Sequence, residues 1–495
     1  MRAVELLQAV RYEPAGEKIR FPDREISGVS IDSRDCREGS VFVCIRGSVC
    51  NGSRYAKEAV RHGAKVLVAA KEEQELIGKI LGQFPECEGV LVEDEREAAA
   101  LLAARYEGEP SRSMMMIGVT GTKGKTTTVS MIRKILSEAG IRTGMIGTTG
   151  QFDGKEHLPS EHTTPDAVTL QRSLARMRKN ACRACVMEVS SQALKLQRTK
   201  GICFDTGVFL NLGDDHIGRF EHADKEEYLA CKRKLFLQSR EAVVNADDPA
   251  WKQMLAGTGC PFQTFGIRNG DFRAVKIRTE SFVQGHPGVE FDIGKVHFQI
   301  PAPGIFTVYN ALAAVRVCMR YGVTPKTAAG SLLDFQVKGR MQFFSIPGGG
   351  EAVIDYAHNA MSLESVLTTL RAYRPARLIT VFGCGGQRAK ERRFQMGEVS
   401  GRLSDLTVIT SDNPRWEAPE AIMDDIETGV RKTDGKYLRI TDRKEAVKQA
   451  VEMAGPGDLV VIAGKGHENT QEIQGVFYRM DEQELVEEAC TQKLL

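Results

Sequence analysis

Between Gly118 and Thr128 the chain reads Gly-Val-Thr-Gly-Thr-Lys-Gly-Lys-Thr-Thr-Thr. Glycines at such a turn let backbone N–H groups curl around phosphate oxygens, and a helix starting there adds partial positive charge behind them. Lys125 has the reach for β- and γ-phosphates, and the Thr126 hydroxyl suits a magnesium ion. The commonest phosphate loop has a glycine six residues before its lysine. This chain has Val119 there and its glycine at Gly121. The bland alternative, a strand-to-helix turn with no ligand, does not account for lysine, hydroxyl and flanking elements all occurring in order.

Other candidate groups follow apolar runs. Glu188 ends Ala184-Cys185-Val186-Met187, where an acid of a parallel sheet faces a phosphate loop and offers the hard oxygen that magnesium prefers. Asn211-Leu212-Gly213-Asp214-Asp215-His216 follows another run, which makes His216 a second metal candidate. Further on, Asp355-Tyr356-Ala357-His358, Gly383-Cys384-Gly385-Gly386-Gln387-Arg388, Ser411-Asp412-Asn413-Pro414-Arg415 and Gly464-Lys465-Gly466-His467-Glu468 all trail β-branched segments. Ligands of open α/β sheets gather at the carboxyl ends of strands, so these loops are expected to share a cleft.

The elements that must position these groups alternate between strand-like and helix-like runs. Strands are expected at 41–45, 64–69, 114–119, 143–148, 184–189, 206–212, 242–245, 378–382, 406–410 and 458–463, and helices at 55–61, 129–136 and 227–236. The pieces 275–277, 289–291 and 296–300 suggest a small antiparallel patch. The expected fold class is α/β in three domains: a small N-terminal domain over 1–110, a central mostly parallel sheet over 111–334, and a Rossmann-like domain over 335–495. Glu107-Gly108-Glu109-Pro110-Ser111 has linker chemistry.

Composition narrows the partners. The net charge of +2 over 495 residues gives no global field for nucleic acid. The basic run Arg388 to Arg393 reads as a solvated face. No stretch approaches the ~20 apolar residues of a membrane span. Met1 to Glu13 is charged throughout, unlike a signal peptide. The twelve cysteines are scattered, which fits a reducing cytosol. The one Cys-x-x-Cys, Cys182 and Cys185, lacks a second pair to complete a tetrahedral zinc site.

These motifs together resemble the Mur ligases, ATP-dependent enzymes that add amino acids to the nucleotide precursor of bacterial peptidoglycan. The resemblance runs over essentially the whole chain. Its marks are Thr120 to Thr128, His162-Thr163-Thr164-Pro165, Glu188-Val189-Ser190-Ser191, Asn211 to His216, Tyr309-Asn310-Ala311-Leu312, Gly339-Arg340, Asp355 to His358, Asp412 to Arg415 and Gly464 to Glu468. It implies that Gly121, Thr122, Lys123, Gly124, Lys125, Thr126 and Thr127 hold ATP, with Asn310, Arg340, Asp355 and His358 completing the nucleotide site. It implies two magnesium ions on Thr126, Glu188, His216 and Lys232, the last as a carbamylated lysine. Thr163, Thr164, Ser190 and Arg198 would contact a muramoyl-dipeptide, and Ser33 and Arg34 would mark the first domain as the uridine-diphosphate holder. Lys125, Lys232 and His216 would serve catalysis.

The amino acid is implied by Asp412, Asn413 and Arg415, which resemble the version in members that add meso-diaminopimelate to UDP-N-acetylmuramoyl-L-alanyl-D-glutamate. Arg388, Gly464 and Glu468 match further contacts to it, and Lys390 is a nearby addition to the nucleotide set. A guanidinium grips the distal carboxylate of diaminopimelate with two parallel hydrogen bonds, whereas lysine would leave that cation desolvated without compensation. The expected product is a cytoplasmic, monomeric ligase with small-molecule substrates. A paralogue using L-lysine or another acceptor is the alternative within the family. From other classes the alternatives are a phosphate-loop hydrolase or kinase and a non-catalytic nucleotide-binding regulator.

The chain departs from the family pattern at several points. Asn359-Ala360-Met361 replaces Thr-Pro-Asp, Lys338 replaces proline, and Gln387 replaces an acid. Residues 218 to 222 replace and lengthen an Asp-Tyr-His-Gly-like stretch, and Ser48-Val49-Cys50-Asn51 differs from the loop that often touches uracil.

Overall fold

The structure, a computed structural model, describes residues 1–495 apart from 17–18, 48–49, 214–216, 219–221 and 494–495. It divides into two compact units. One comprises Met1–Arg273 with Tyr309–Ala328, and the other Ala274–Val308 with Ala329–Leu495.

The first unit holds two sheets. The smaller runs in the order Glu13–Pro14, Glu88–Val92, Ala64–Ala70, Ser40–Val43, Gly28–Ser30, parallel except for the edge pair at Glu13–Pro14. The larger is built around Met115–Thr120, flanked by Ala184–Glu188 on one side and Thr206–Phe209 on the other. Thr143–Gly147 extends one side, while Ala242–Asn245 and Phe262–Gly266 extend the other, all parallel. Strand order reverses around Met115–Thr120, which makes the carboxyl end of that strand a topological switch point. Its residues are almost wholly buried on both faces, as expected of an inner parallel strand.

The segment 107–111, read as linker, is a packed turn. Glu109 takes φ +51, Pro110 and Ser111 are buried, and Arg178 donates to the carbonyls of Gly108 and Glu107 at 2.8 Å each. Helix Glu95–Tyr106, capped by Asp94 accepting from the Arg96 and Glu97 N–H groups, packs on helix Ala167–Lys179.

In the second unit an antiparallel sheet of Val275–Val283, His286–Ile293 and Val296–Ile300 realises the expected patch with longer strands. The main sheet runs Gln342–Ile346, Gly350–Asp355, Leu459–Ala463, Leu378–Phe382, Leu406–Ile409, Tyr437–Arg439. All its pairings are parallel except that of Gln342–Ile346. Four carboxyl ends, at Asp355, Phe382, Ile409 and Ala463, therefore face one way and feed the four polar loops singled out by sequence. The hairpin Thr470–Ile473 and Val476–Arg479 stands beyond the last of them.

Candidate active site

The phosphate loop is shaped by bonds from the neighbouring strand end. Thr122 N–H donates to the Asn211 carbonyl (3.0 Å), and Lys123 N–H donates to Asn211 Oδ1 (2.9 Å). Thr122 Oγ1 accepts from Gly213 N–H (2.9 Å) and meets the Tyr228 hydroxyl at 3.1 Å. Gly124 turns the chain at φ +86 and helix Lys125–Glu138 begins directly after it, so the first-turn N–H groups of Thr126 and Thr127 point out of the helix start. A Cβ on Gly124 would collide with Asn310 Oδ1, so Asn310 sits against the loop. Lys125 Nζ folds onto the carbonyls of Gly121 (2.8 Å) and Thr122 (3.1 Å). Lys232, 1 % exposed on helix Lys225–Leu237, donates to the same Gly121 carbonyl at 3.0 Å and lies 4.5 Å from the Tyr228 ring centre. Sequence gave no physical reason to single out Lys232, and its burial against the loop supplies one.

Strand register sets Glu188 beside Val119, immediately before the loop. Its carboxylate is buried and accepts from Thr148 N–H (2.8 Å) on Oε1 and from the Thr148 hydroxyl (3.3 Å) on Oε2. The Thr148 hydroxyl meets that of Thr163 at 3.0 Å. Thr164 donates to the Glu188 carbonyl (2.8 Å) and accepts from Ser190 N–H (3.1 Å). Arg198 donates to the Thr164 carbonyl at 2.7 Å. Burial lowers the pKa of its guanidinium, opposed by Asp166. Thr163, Thr164, Glu188, Ser190 and Arg198 thus form one bonded group at a strand end, with an arginine suited to an anion. Its donor atoms around Glu188 are hard oxygens, the set magnesium prefers. His216 lies outside the described residues.

His222, Glu227 and Cys231 also bring three ligand-type atoms within 4.8 Å of one another, but Glu227 Oε1 already meets Lys195 Nζ at 2.7 Å. In the smaller sheet's surroundings Ser33 is buried and donates to Glu58 Oε2 (3.0 Å), while Arg34 is exposed and paired with Asp32 at 2.6 Å. Cys182 and Cys185 are both buried, and burial raises both thiol pKa values.

In the second unit Asp355 braces the start of its loop, accepting from Met341 N–H (2.8 Å) and Ala357 N–H (2.9 Å). Arg340 stacks over Tyr356 at 4.5 Å, and the Tyr356 ring also touches those of His358 (4.6 Å) and His467 (4.9 Å). Burial, with Glu468 next, raises the pKa of the Tyr356 hydroxyl. Within this unit the expected nucleotide residues Arg340 and His358 therefore adjoin the 464–468 loop through Tyr356, which sequence reading left without a role.

Residues expected to contact the amino acid gather around Gly385. A Cβ built there would lie 3.0 Å from an Arg415 nitrogen and 3.7 Å from Arg388 Cγ. Arg415 takes the left-handed backbone at φ +54, rare for a side chain that is neither glycine nor asparagine. Its guanidinium donates to the Gly386 carbonyl (2.8 Å) and pairs through Nε with Glu472 (3.0 Å). Asn413 Nδ2 donates to Glu468 Oε2 at 3.1 Å. Arg388 and Lys390 are exposed, and Asp412 and Gly464 are buried side by side.

Two supports were not foreseen. Lys465 is buried and bonds both Asn413 and Glu468. Below it, Arg443 and Glu482 form a completely buried ion pair, with Nε to Oε1 at 2.9 Å. Arg443 also donates to the carbonyls of Ser411 (3.2 Å) and Ala463 (2.8 Å), and Glu482 accepts from Gly466 N–H (3.1 Å). This pair ties the 411–415 loop to the 464–468 loop. Nothing in the sequence marks Arg443 or Glu482, since each sits on an ordinary helix far from the motifs.

Family models for the Mur ligase catalytic domain, middle domain and glutamate ligase domain match residues 25–107, 119–318 and 339–466. The UDP-N-acetylmuramoyl-L-alanyl-D-glutamate–2,6-diaminopimelate ligase 1 of Clostridium acetobutylicum is 38% identical, the alignment covering 99% of each chain. The chain belongs to the Mur ligase family. The corresponding ligase of Chlorobaculum tepidum is 39% identical over 94% of this Mur ligase and 92% of that protein. A solved structure of a UDP-N-acetylmuramoyl-L-alanyl-D-glutamate–2,6-diaminopimelate ligase superposes with a TM-score of 0.68 at 28% identity, covering 100% of both chains. The MurF ligase of Thermotoga maritima in complex with ADP shares the fold, with a TM-score of 0.61 at 20% identity over 94% of this chain and 97% of that one.

As a Mur ligase the protein is an ATP-dependent ligase. Its departures from the family pattern have local explanations. Asn359 caps helix Ala360–Arg371, its Oδ1 accepting from Ser362 N–H at 2.9 Å. Lys338 pairs with Asp481 at 2.5 Å. Gln387 takes φ +55, with its N–H held by Glu417. Residues 48–49 and 219–221 lie outside the described residues.

Proposed function

We propose that this Mur ligase joins the D-glutamyl carboxylate of UDP-N-acetylmuramoyl-L-alanyl-D-glutamate to an amine of meso-diaminopimelate in peptidoglycan precursor synthesis. The observation that carries the reading is the meeting of Arg388, Arg415 and Asn413 around Gly385, with Glu468 joined to them through the Asn413 amide. Arg415 offers N–H donors beyond those used by Glu472 and Gly386, enough to grip a distal carboxylate. Glu468 supplies the acid for an ammonium. L-lysine ends in an ammonium and gives Arg415 nothing to hold.

The dipeptide carboxylate attacks the γ-phosphorus of ATP, the bond to the ADP oxygen breaks, and an acyl phosphate forms. The amine then attacks the acyl carbon, losing a proton as phosphate leaves. Lys125 and the N–H groups at the helix start hold the phosphates, while Thr163, Thr164, Ser190 and Arg198 orient the muramoyl-dipeptide, and Ser33 and Arg34 receive its uridine diphosphate. Arg340, Asp355 and His358 are the further nucleotide-binding residues of this reading, and Asn310 keeps the loop in shape. Thr126 and Glu188 suit one magnesium ion, with His216 and a carbamylated Lys232 as further ligands. Bound magnesium would neutralise charge that builds up in phosphoryl transfer. Held reactants reach effective molarities of ~10⁵ M or more, so positioning supplies much of the rate.

Among the described residues no helix is long and apolar enough to cross a membrane. A cytoplasmic monomer with small-molecule partners, divided near residues 110 and 334, fits this reading. The test is a panel of diaminopimelate, L-lysine and ornithine with the dipeptide nucleotide and ATP, read by mass spectrometry. Diaminopimelate alone should appear in the product, with ATP consumed only when both co-substrates are present. Lysine in the product overturns the amino-acid assignment, and ATP turnover with neither co-substrate favours the hydrolase.

A further inference from the structure

Lys465 is 0 % exposed, yet its ammonium ends at the floor of the amino-acid group. Nζ donates to Asn413 Oδ1 at 3.0 Å and to Glu468 Oε2 at 3.1 Å. Asn413 Oδ1 also accepts from Glu472 N–H at 2.9 Å, and its Nδ2 donates to Glu468 Oε2 at 3.1 Å. Two donors on Oδ1 leave the Asn413 amide only one orientation, with its NH₂ toward Glu468. Glu468 Oε2 in turn receives both Lys465 and Asn413, and the Tyr356 hydroxyl also bonds this carboxylate, so its orientation is fixed. Glu468 keeps about a third of its side chain exposed, so the anchored side chain still meets solvent.

We infer that Lys465 is a positioning residue for the amino-acid substrate: it compensates Glu468 from below, fixes the Asn413 amide that braces it, and aims that carboxylate at the incoming ammonium. The inference rests on the reading that this group binds the amino acid. A buried cation serving only the fold would not need to end on that carboxylate and on the amide that braces it. The Arg443–Glu482 pair already ties the two loops together. Without the ammonium, Glu468 would lose its buried counter-ion in a partly buried site, and would turn away or take a proton.

The test is a double-mutant cycle of Lys465→Met with Glu468→Gln, with Lys465→Gln as a second, polar replacement. In the Glu468 background each Lys465 variant should raise the KM for diaminopimelate on the order of 100-fold, the cost of removing one partner of a buried pair. The KM for ATP should stay within about twofold. In the Glu468→Gln background, where no carboxylate needs compensation, the same Lys465 changes should cost about threefold or less. Costs that multiply, or KM values for ATP and amino acid that rise together, overturn the inference. If both single Lys465 variants fail to fold, recovery of the fold in Lys465→Met/Glu468→Gln supports the coupling, and failure there too assigns Lys465 to the fold and overturns it. Wild-type protein that ignores diaminopimelate refutes the substrate reading together with this one. Active wild type with an additive cycle refutes this one alone.

Discussion

Arg415 carries an unusual combination: a left-handed backbone, a guanidinium turned inward, and one acid on its Nε edge. Backbone strain at a non-glycine residue persists only where surroundings over-determine it, and such positions cluster at ligand clamps. Arg415→Ala should therefore raise the KM for diaminopimelate about 100-fold, as loss of a bidentate charge-assisted contact does, with the KM for ATP nearly unchanged. Steady-state phosphate release with each substrate varied in turn checks this; unchanged use of diaminopimelate removes the assignment. Lys232→Ala should lose on the order of 100-fold in kcat and regain part of it with added acetate or formate, which replace a carbamate's carboxylate. Full activity without rescue would make Lys232 an ordinary buried lysine. Legibility at this scale tracked local chemistry. Glu188, Arg415 and Glu468 stood in polar clusters at the ends of apolar runs, and their placement at or after strand ends was readable. Lys465 stood in such a cluster too, but its direction, inward and not toward the ligand, is a matter of packing that one-dimensional pattern does not carry.

At the scale of elements, the phosphate loop begins its helix earlier than apolar periodicity implies. The pattern suggested 129–136, whereas the helix starts at Lys125 because Gly124 supplies the left-handed turn that redirects the chain. The strand expected over 206–212 stops at Phe209 because Leu210 to Gly213 leave the ladder to bond the loop, with Asn245 and Asp248 holding Leu210 and Leu212. Gly124→Ala would pay roughly 1 kcal/mol for its backbone alone, before the collision with Asn310 Oδ1. Calorimetric titration with a non-hydrolysable ATP analogue should show affinity weakened about tenfold or more. Adding Asn310→Ala should recover part of that loss by removing the collision; no loss in Gly124→Ala would mean the loop tolerates another path. Boundaries were thus misread wherever the site borrows backbone from regular structure, and read correctly where only burial decides, as at Leu378–Phe382.

Over the whole molecule, parallel sheets with site loops at their carboxyl ends were readable from alternation, whereas the gathering of the chain into two compact units was not, since it depends on how helix Ala167–Lys179 packs. Stability carries its own pH signature. Hydrogen bonding from the Tyr437 hydroxyl, with Arg439 and Arg431 also present, holds the Glu427 carboxyl below its ordinary pKa despite burial. A depressed folded-state pKa adds stability that is complete above the unfolded value, about 4.3, and is lost as pH falls through the lower folded value. Thermal melts of wild type and Glu427→Gln should differ most near pH 7 and converge as pH drops below about 4. A gap that stays constant with pH would show the variant acting through shape and not charge.

The Arg443–Glu482 pair has a practical corollary for anyone recoding which amine the enzyme accepts. Grafting residues 412–415 from a lysine-using homologue would change the groups that greet the newcomer while their backbone stayed pinned at Ser411, Ala463 and Gly466. A transplant that ignores this anchorage inherits the old geometry, so successful exchange requires the two helices bearing Arg443 and Glu482 to travel with the loops.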